Sequence, residues 1–379
     1  MKKNISRIIT SIFLFIFLSG CAASGIKNAY DHSKSTAVQF GINESRDFFI
    51  DSLIPDTFTA RWRSETNGNL GFNSVVTTEK AVFVSDLSGR IYSFNRQTGK
   101  RIGYLRYKGS IQCAPLIYKN IVIFPLVKLN QNQTLLIFYD YDKGTELYKI
   151  EIEGKVLSVP VLADDMVFCL TTEGSVIKTN FRGDIIWTKK LKLRNNSNLF
   201  LEKNYLLFGT DSGELIYFNY KTGETELKIS LSGSPLGNLS VKDGAIITSD
   251  YTGTVYVVKD EILQWTFNSG GRIDSYISSD LKRVYFGTLN GDIFCLDLLT
   301  GKLLWQHNYG GVINAAPLVT GNFLLYPNLD RKIFIVEKNS GQVIKVLNFD
   351  GRVRLTPVID NGQLFVGYDN YFLEAYDLP

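Results

Sequence analysis

At 379 residues, with 45% hydrophobic and 21% charged content, the chain has the apolar side chains for a large core and too little charge for a disordered polymer. Its formal charge of +4 includes Lys2, Lys3 and Arg7, and without them it falls to +1 (4 − 3), a net balance that does not point to nucleic acid or another polyanion.

The chain opens MKKNISRIITSIFLFIFLSGC: a basic start, an apolar run from Ile8 to Leu18, then small residues before Cys21. The run is too short to cross a bilayer, so residues 1–20 are expected to be a signal peptide. The end of the run, Leu18-Ser19-Gly20-Cys21, resembles the bacterial lipoprotein box, which implies that Cys21 is the lipid-attachment site. Ala22 follows where an Asp would imply inner-membrane retention, so the resemblance implies an outer-membrane anchor with the domain in the periplasm. Residues 21–56 are polar and weakly periodic (AASG, DHSKS, NESRD) and are expected to form a flexible tether. A flexible chain of that length has a root-mean-square reach of roughly 33 Å.

From residue 57 to 379 the pattern changes to short apolar runs broken by Gly, Asn and Asp, as in an all-β chain. One hairpin position recurs at Gly89, Gly174, Gly213, Gly253, Gly291 and Arg331, and two degenerate copies place it at Thr134 and Tyr371. The steps are 38 to 40 residues, except for one of 45 that coincides with KLNQNQ, an extended hairpin. Each copy begins with a run such as AAPLV or LTPVI, with Pro at 115, 160, 317 and 357, where a missing backbone donor suits an edge strand. A second strand leads through the Gly-bearing turn into a third, and Thr98-Gly99, Thr222-Gly223 or Thr300-Gly301 opens the fourth. Four antiparallel strands per unit and eight units predict an eight-bladed β-propeller.

The last copy stops at Pro379 without a fourth strand, whereas FTARWRSE precedes the first copy and is surplus. The four tryptophans, Trp62, Trp187, Trp265 and Trp305, fall at equivalent places near the start of fourth strands. Trp62 therefore marks an N-terminal strand expected to complete the last blade and close the ring.

Three cysteines remain beyond Cys21: Cys113, Cys169 and Cys295. Each lies in an apolar run of a different repeat, so they are expected to be buried thiols rather than a disulfide framework. With only His32 and His307 and no Cys-x-x-Cys, metal-ligand spacing is absent, and no metal is expected. Carboxylates such as Asp86, Glu173, Asp211 and Asp330 sit in turns, where they act as turn formers, so no catalytic residue is assigned.

The Thr-Gly turns and the Trp near the start of four of the fourth strands resemble the quinoprotein-type propeller superfamily. Its enzymes hold pyrroloquinoline quinone with calcium and adjacent cysteines; here the Cys-Cys pair is missing, so no cofactor is expected. Lipoprotein box, tether and eight blades together resemble the BamB family of outer-membrane assembly lipoproteins. That resemblance implies a non-catalytic scaffold whose partner is the periplasmic domain array of a BamA-like barrel assembly factor. It also implies contact through a Leu-x-Leu-Arg segment between two blades, which KKLKLRNNSN places at Leu191, Leu193 and Arg194. The next inter-blade loop, acidic in the family, is SLSGSPLGNLS here and has no carboxylate. Two alternatives are a quinone-dependent dehydrogenase and an envelope glycan-binding propeller, the latter because 20 Tyr and 25 Phe would supply stacking surfaces.

Overall fold

The structure, a computed structural model, describes residues 25–27, 41, 46–72 and 75–378. Among them, 32 strands and no helix form eight separate four-stranded antiparallel sheets, the blades of an eight-bladed propeller. Blade one runs Val76–Thr77, Ala81–Ser85, Arg90–Asn95 and Arg101–Arg106 from the axis outward, and the others repeat this order. The short first strands line the axis, and the second and third strands are buried on both faces between neighbouring blades, as in Ala81–Ser85 and Arg90–Asn95. Fourth strands alternate instead, as Glu224–Ser230 does, because only one of their faces meets a neighbour.

The sequence periodicity has direct structural causes. Pro115, Pro160, Pro317 and Pro357 each stand immediately before a first strand, Leu116–Tyr118, Val161–Ala163, Leu318–Val319 and Val358–Asp360. There the missing N–H breaks no ladder. Gly89, Gly174, Gly213, Gly253 and Gly291 all have φ between 79° and 87°, the left-handed turn that costs glycine least. Arg331 and Tyr371 take the same sense of φ, 64° and 73°, without that freedom. The remaining copy needs a correction. Thr134 is the second residue of the strand Gln133–Asp140 and donates its hydroxyl to the Gly154 carbonyl (2.8 Å). The turn lies just before it, between Ile121–Val127 and Gln133–Asp140, with Asn130 at φ 58°.

The last blade consists of Val358–Asp360, Gln363–Tyr368 and Phe372–Asp377, completed by Thr59–Glu65 from the other end of the chain. The register runs from Thr59 opposite Asp377 to Glu65 opposite Phe372, with a bulge between Ala60 and Trp62. Third and fourth strands carry a comparable shift in the other seven blades, for example at Ser93/Phe94, Val257/Val258 and Ile335/Val336. The N-terminal strand thus reproduces even the local irregularity of the unit it completes.

Antiparallel order gives the ring two unlike faces. On the turn face lie the hairpins between first and second strands and the turns between third and fourth. On the hairpin face lie the Gly hairpins and the connections from blade to blade.

The segment 46–56, expected to belong to a flexible tether, is docked on the turn face. Phe49 pairs in parallel with Val319 on the free edge of a first strand, through Val319 N–H to Phe48 O and Ile50 N–H to Val319 O, both 2.9 Å. Ile54 and the Asn322 side chain exchange two hydrogen bonds (3.0 and 2.9 Å), and Asp47 pairs with Lys242 at 2.9 Å. An unpaired inner edge offers backbone donors and acceptors, and this segment satisfies one of them.

Candidate functional site

Leu191, Leu193 and Arg194 follow the fourth strand of blade three, Ile185–Lys190, and precede the first strand of blade four, Phe200–Glu202. They lie on the hairpin face. The segment is held to both blades: Leu191 N–H donates to the Gly174 carbonyl (3.0 Å), and Asp211 N–H donates to the Arg194 carbonyl (2.9 Å). Lys192 between them takes φ 53°, so the chain turns there, and both leucines face the same inter-blade seam. Leu191 and Leu193 are half-buried against the core that includes Phe168, Leu199 and Phe208, while Lys192 and Arg194 are exposed. The Leu193 side chain also fills the space beside Gly174, where a Cβ would come within 2.8 Å of Cδ1. The guanidinium of Arg194 pairs with no described residue. The three residues therefore form one small surface in which an exposed cation stands over partly covered apolar side chains.

Beside this segment the blade connections surround a cavity of about 360 Å³ that opens on the hairpin face. Its wall is neutral for the most part, with Ser197 and Asn198 from the connection into blade four, Asn238 from the next and Asn314 from the connection into blade seven. Asn198 joins blade four to blade five, accepting from Leu239 N–H at 2.7 Å, and Asn238 accepts from Asn198 N–H at 3.2 Å. Charge appears only at the mouth, where Arg272 bonds Asp274 at 2.5 Å and lies over the Tyr251 ring. Sequence reasoning did not single out this wall. The signal was present, because Asn198 and Asn238 are one repeat apart, as are Asp274 and Asn314.

The axis is filled from the other face by Arg46 and Phe48. Arg46 donates to the Leu199 carbonyl in blade four (2.7 Å) and is close enough to Cys113 in blade two and Tyr276 in blade six to interact electrostatically with both. Only a residue on the ring axis meets all three blades. Burial lowers the Arg46 pKa, opposed by Tyr276 and Cys113. The Phe48 ring packs on Tyr276 with centroids 5.4 Å apart.

The three thiols of the described chain are free and buried, Cys113, Cys169 and Cys295. Among the described residues no three His, Cys, Asp or Glu side chains come together as metal ligands. Cys21 lies outside the described residues.

Comparison with known proteins places this fold. The profile of the family described as outer membrane protein assembly factor BamB matches residues 126–263 and 252–354. The chain belongs to the BamB family. The outer membrane protein assembly factor BamB of Burkholderia pseudomallei (strain K96243) is 22% identical over 324 residues, 79% of this chain and 82% of the relative. The crystal structure of BamB from Moraxella catarrhalis superposes with a TM-score of 0.70 at 14% identity, covering 85% of this chain and all (100%) of that one. The computationally designed Ika8 protein, also with a TM-score of 0.70 at 13% identity, covers 84% of this chain and 100% of its own. That likeness shows the propeller alone. A human beta-alanine-activating enzyme is 26% identical over 104 residues, but these are only 9% of its length, so the match extends to one stretch of repeats.

Proposed function

We propose that this BamB-family chain is a non-catalytic, lipid-anchored scaffold that assists assembly of outer-membrane β-barrel proteins by binding the periplasmic domains of a BamA-like partner. Membership of the family supports the role, and the Leu191–Arg194 surface supports the mode of contact. Two half-buried leucines become fully covered when a partner closes over them, a gain of roughly 25 cal/mol per Å² of apolar surface removed from water. Arg194 supplies a charge-assisted hydrogen bond to a carbonyl or carboxylate on that partner. The lipoprotein box at Cys21 supports attachment to the outer membrane with the ring in the periplasm.

The observation that carries the docking surface is the free Arg194 guanidinium beside a leucine pair that the ring only partly covers. The double change Leu193→Ala and Arg194→Ala is expected to weaken binding to the purified periplasmic domains at least tenfold, with the variant's melting temperature close to the parent's. If binding falls only as far as the folded fraction falls, the leucines serve the core and the contact lies on other loops. For the anchor, Cys21→Ser is expected to leave the protein unprocessed or released from the outer membrane. Unchanged fractionation would sink the lipoprotein reading.

A further inference from the structure

Residues 25–27 are separated from the docked segment 46–56 in sequence, yet they too are fixed to the ring. Ile26 is fully buried, at 0% exposure, between the fourth strand of blade one and the third strand of blade two. The Tyr139 hydroxyl grips its backbone twice, accepting from Ile26 N–H (3.1 Å) and donating to Ile26 O (3.0 Å). Gly103 lies inside the strand Arg101–Arg106, where glycine weakens a sheet unless another backbone needs the space. Here it does: a Cβ at Gly103 would sit 1.9 Å from the Gly25 carbonyl oxygen. Lys27 then lies across Gly144 in the turn of blade two.

Only four peptide steps separate Cys21 from Gly25, a reach of at most ~14 Å. A lipid on Cys21 is thus tied to the blade one–blade two edge near the turn face rather than to the end of a long tether. The same corner is basic. Lys27, Lys80, Lys100, Arg101, Lys119 and Lys143 are exposed there, against exposed Glu79 and Glu146 and half-buried Asp142, with Asp165 of blade three accepting from the Tyr118 hydroxyl (2.8 Å) beside Lys119. Lys143 is also 3.5 Å from Asp140, a buried carboxylate. Blade five, across the ring, has Asp243, Asp260 and Glu261 exposed on its corresponding turns, with Lys259 exposed beside them.

We propose that the turn-face corner of blades one and two is a membrane-docking surface that rests on the anionic headgroups of the leaflet holding the lipid. The proposal deepens the lipoprotein reading and rests on it for the position of the anchor. Each cation held at an anionic surface favours binding by about fivefold, and a reach of at most ~14 Å lies well inside the Debye length of ~30 Å at ~0.01 M salt, where that attraction acts in full. The orientation follows: blade five tips away from the membrane, and Leu191–Arg194, on the hairpin face, points toward the periplasm.

The unacylated chain from Ala22 onward keeps every residue of the corner, so its sedimentation with vesicles reads the surface without the lipid. It is expected to pellet with phosphatidylglycerol-containing vesicles at low salt, and at least tenfold less with phosphatidylcholine alone. Lys100→Glu, Arg101→Glu, Lys119→Glu and Lys143→Glu together should abolish that preference while the melting temperature is retained. Lys189→Glu with Lys192→Glu, at the Leu191 segment, should leave it intact. Equal pelleting with both lipids, or equal loss from the Lys189 and Lys192 pair, overturns the proposal. The clip is tested separately by Gly103→Val, which should speed hydrogen exchange at the Ile26 amide; if that amide already exchanges freely in the parent, the fixed orientation is wrong. Failure of the lipoprotein reading shows elsewhere, as unchanged membrane fractionation of Cys21→Ser.

Discussion

The indole N–H of Trp62 donates to the carbonyl of Arg96 at 2.8 Å, fastening the completed last blade to the first. The ring lies against Gly99, where a Cβ would come within 2.7 Å of Cδ2, and the same turn needs φ 69°. Trp265 repeats the arrangement with Leu298 O (2.9 Å) and Gly301, as does Trp305 with Lys338 O (3.2 Å) and Gly341. Trp187 departs from it and packs between Phe168 of its own blade and Phe218 of the next. The repeated Trp and Thr-Gly are a fastening between blades, so a quinone is not required to explain them.

Trp62→Ala is expected to remove one such fastening where the ring closes, at a cost of about 3 kcal/mol. Deleting the chain through Glu65 should be worse, because it strips the partner from Phe372–Asp377 and exposes a sheet edge. Thermal melting and light scattering read the two effects. An unchanged melting curve for the deletion would place the closing strand elsewhere.

A second closure lies closer to the axis. Arg96, 2% exposed, forms an ion pair with Asp360 of the last blade and donates to Gln363 Oε1 (2.9 Å) and Thr78 O (3.0 Å). Thr77 adds a hydroxyl to the same carboxylate at 2.9 Å. Removing one member of a buried pair leaves the other uncompensated, so Arg96→Met should cost about 3–5 kcal/mol. The double change with Asp360→Leu should cost less than Arg96→Met alone. Chemical denaturation of the two single variants and the double variant measures the coupling, and simple additivity would mean that the pair does not hold the ring.

The blades were legible because each unit places a turn of positive φ at the same point of its fold, and four of the eight add an inter-blade Trp, which together leave a period in the residues. Thr134 was misplaced, two positions after Asn132, which holds the place of the hairpin glycine, because its hairpin has no Gly and an inserted loop. The docking of 46–56 was illegible for a different reason. Many of its contacts run through backbone to Val319, Ser279 and Gly321, which any sequence can make, and its side-chain contacts, such as Asp47 with Lys242, 195 residues apart, and Ile54 with Asn322, join residues far apart in the chain. Leu191 and Leu193, alternating with Lys and Arg after a fourth strand, fit the tail of a strand facing a neighbouring blade as well as they fit a surface, and the seam between blades makes them partly both.

The thiols give a third test. Burial pushes Cys113 up to about 12, opposed by the nearby Arg46 charge, and burial likewise pushes Cys295 up to about 12; Cys169 is raised by burial and by Cys113. Because the thiolate is the reactive form, the native protein should give almost no reaction with Ellman's reagent near pH 8. In denaturant all three should react at once. Rapid labelling of one thiol in the native state would show that its blade seam is open.

The last prediction concerns the segment that fills the axis. Asp47 is 2% exposed and pairs with Lys242, itself only 12% exposed, while Asp47 also accepts the Phe49 N–H at 3.0 Å. Lys242→Met keeps the length and apolar stem of the lysine but leaves the carboxylate without that cation in a site water barely reaches. The ring does not depend on this contact, since every blade keeps its four strands. The response should therefore be local: faster hydrogen exchange at Ile50 and Ile54, whose amides bond Val319 and Asn322, with little change at the third strands of blades six and seven. Those amides are read in one exchange experiment. A uniform loss of protection across the ring would show instead that the N-terminal segment is integral to global stability, and unchanged exchange at Ile50 would show that the pair is not what holds it.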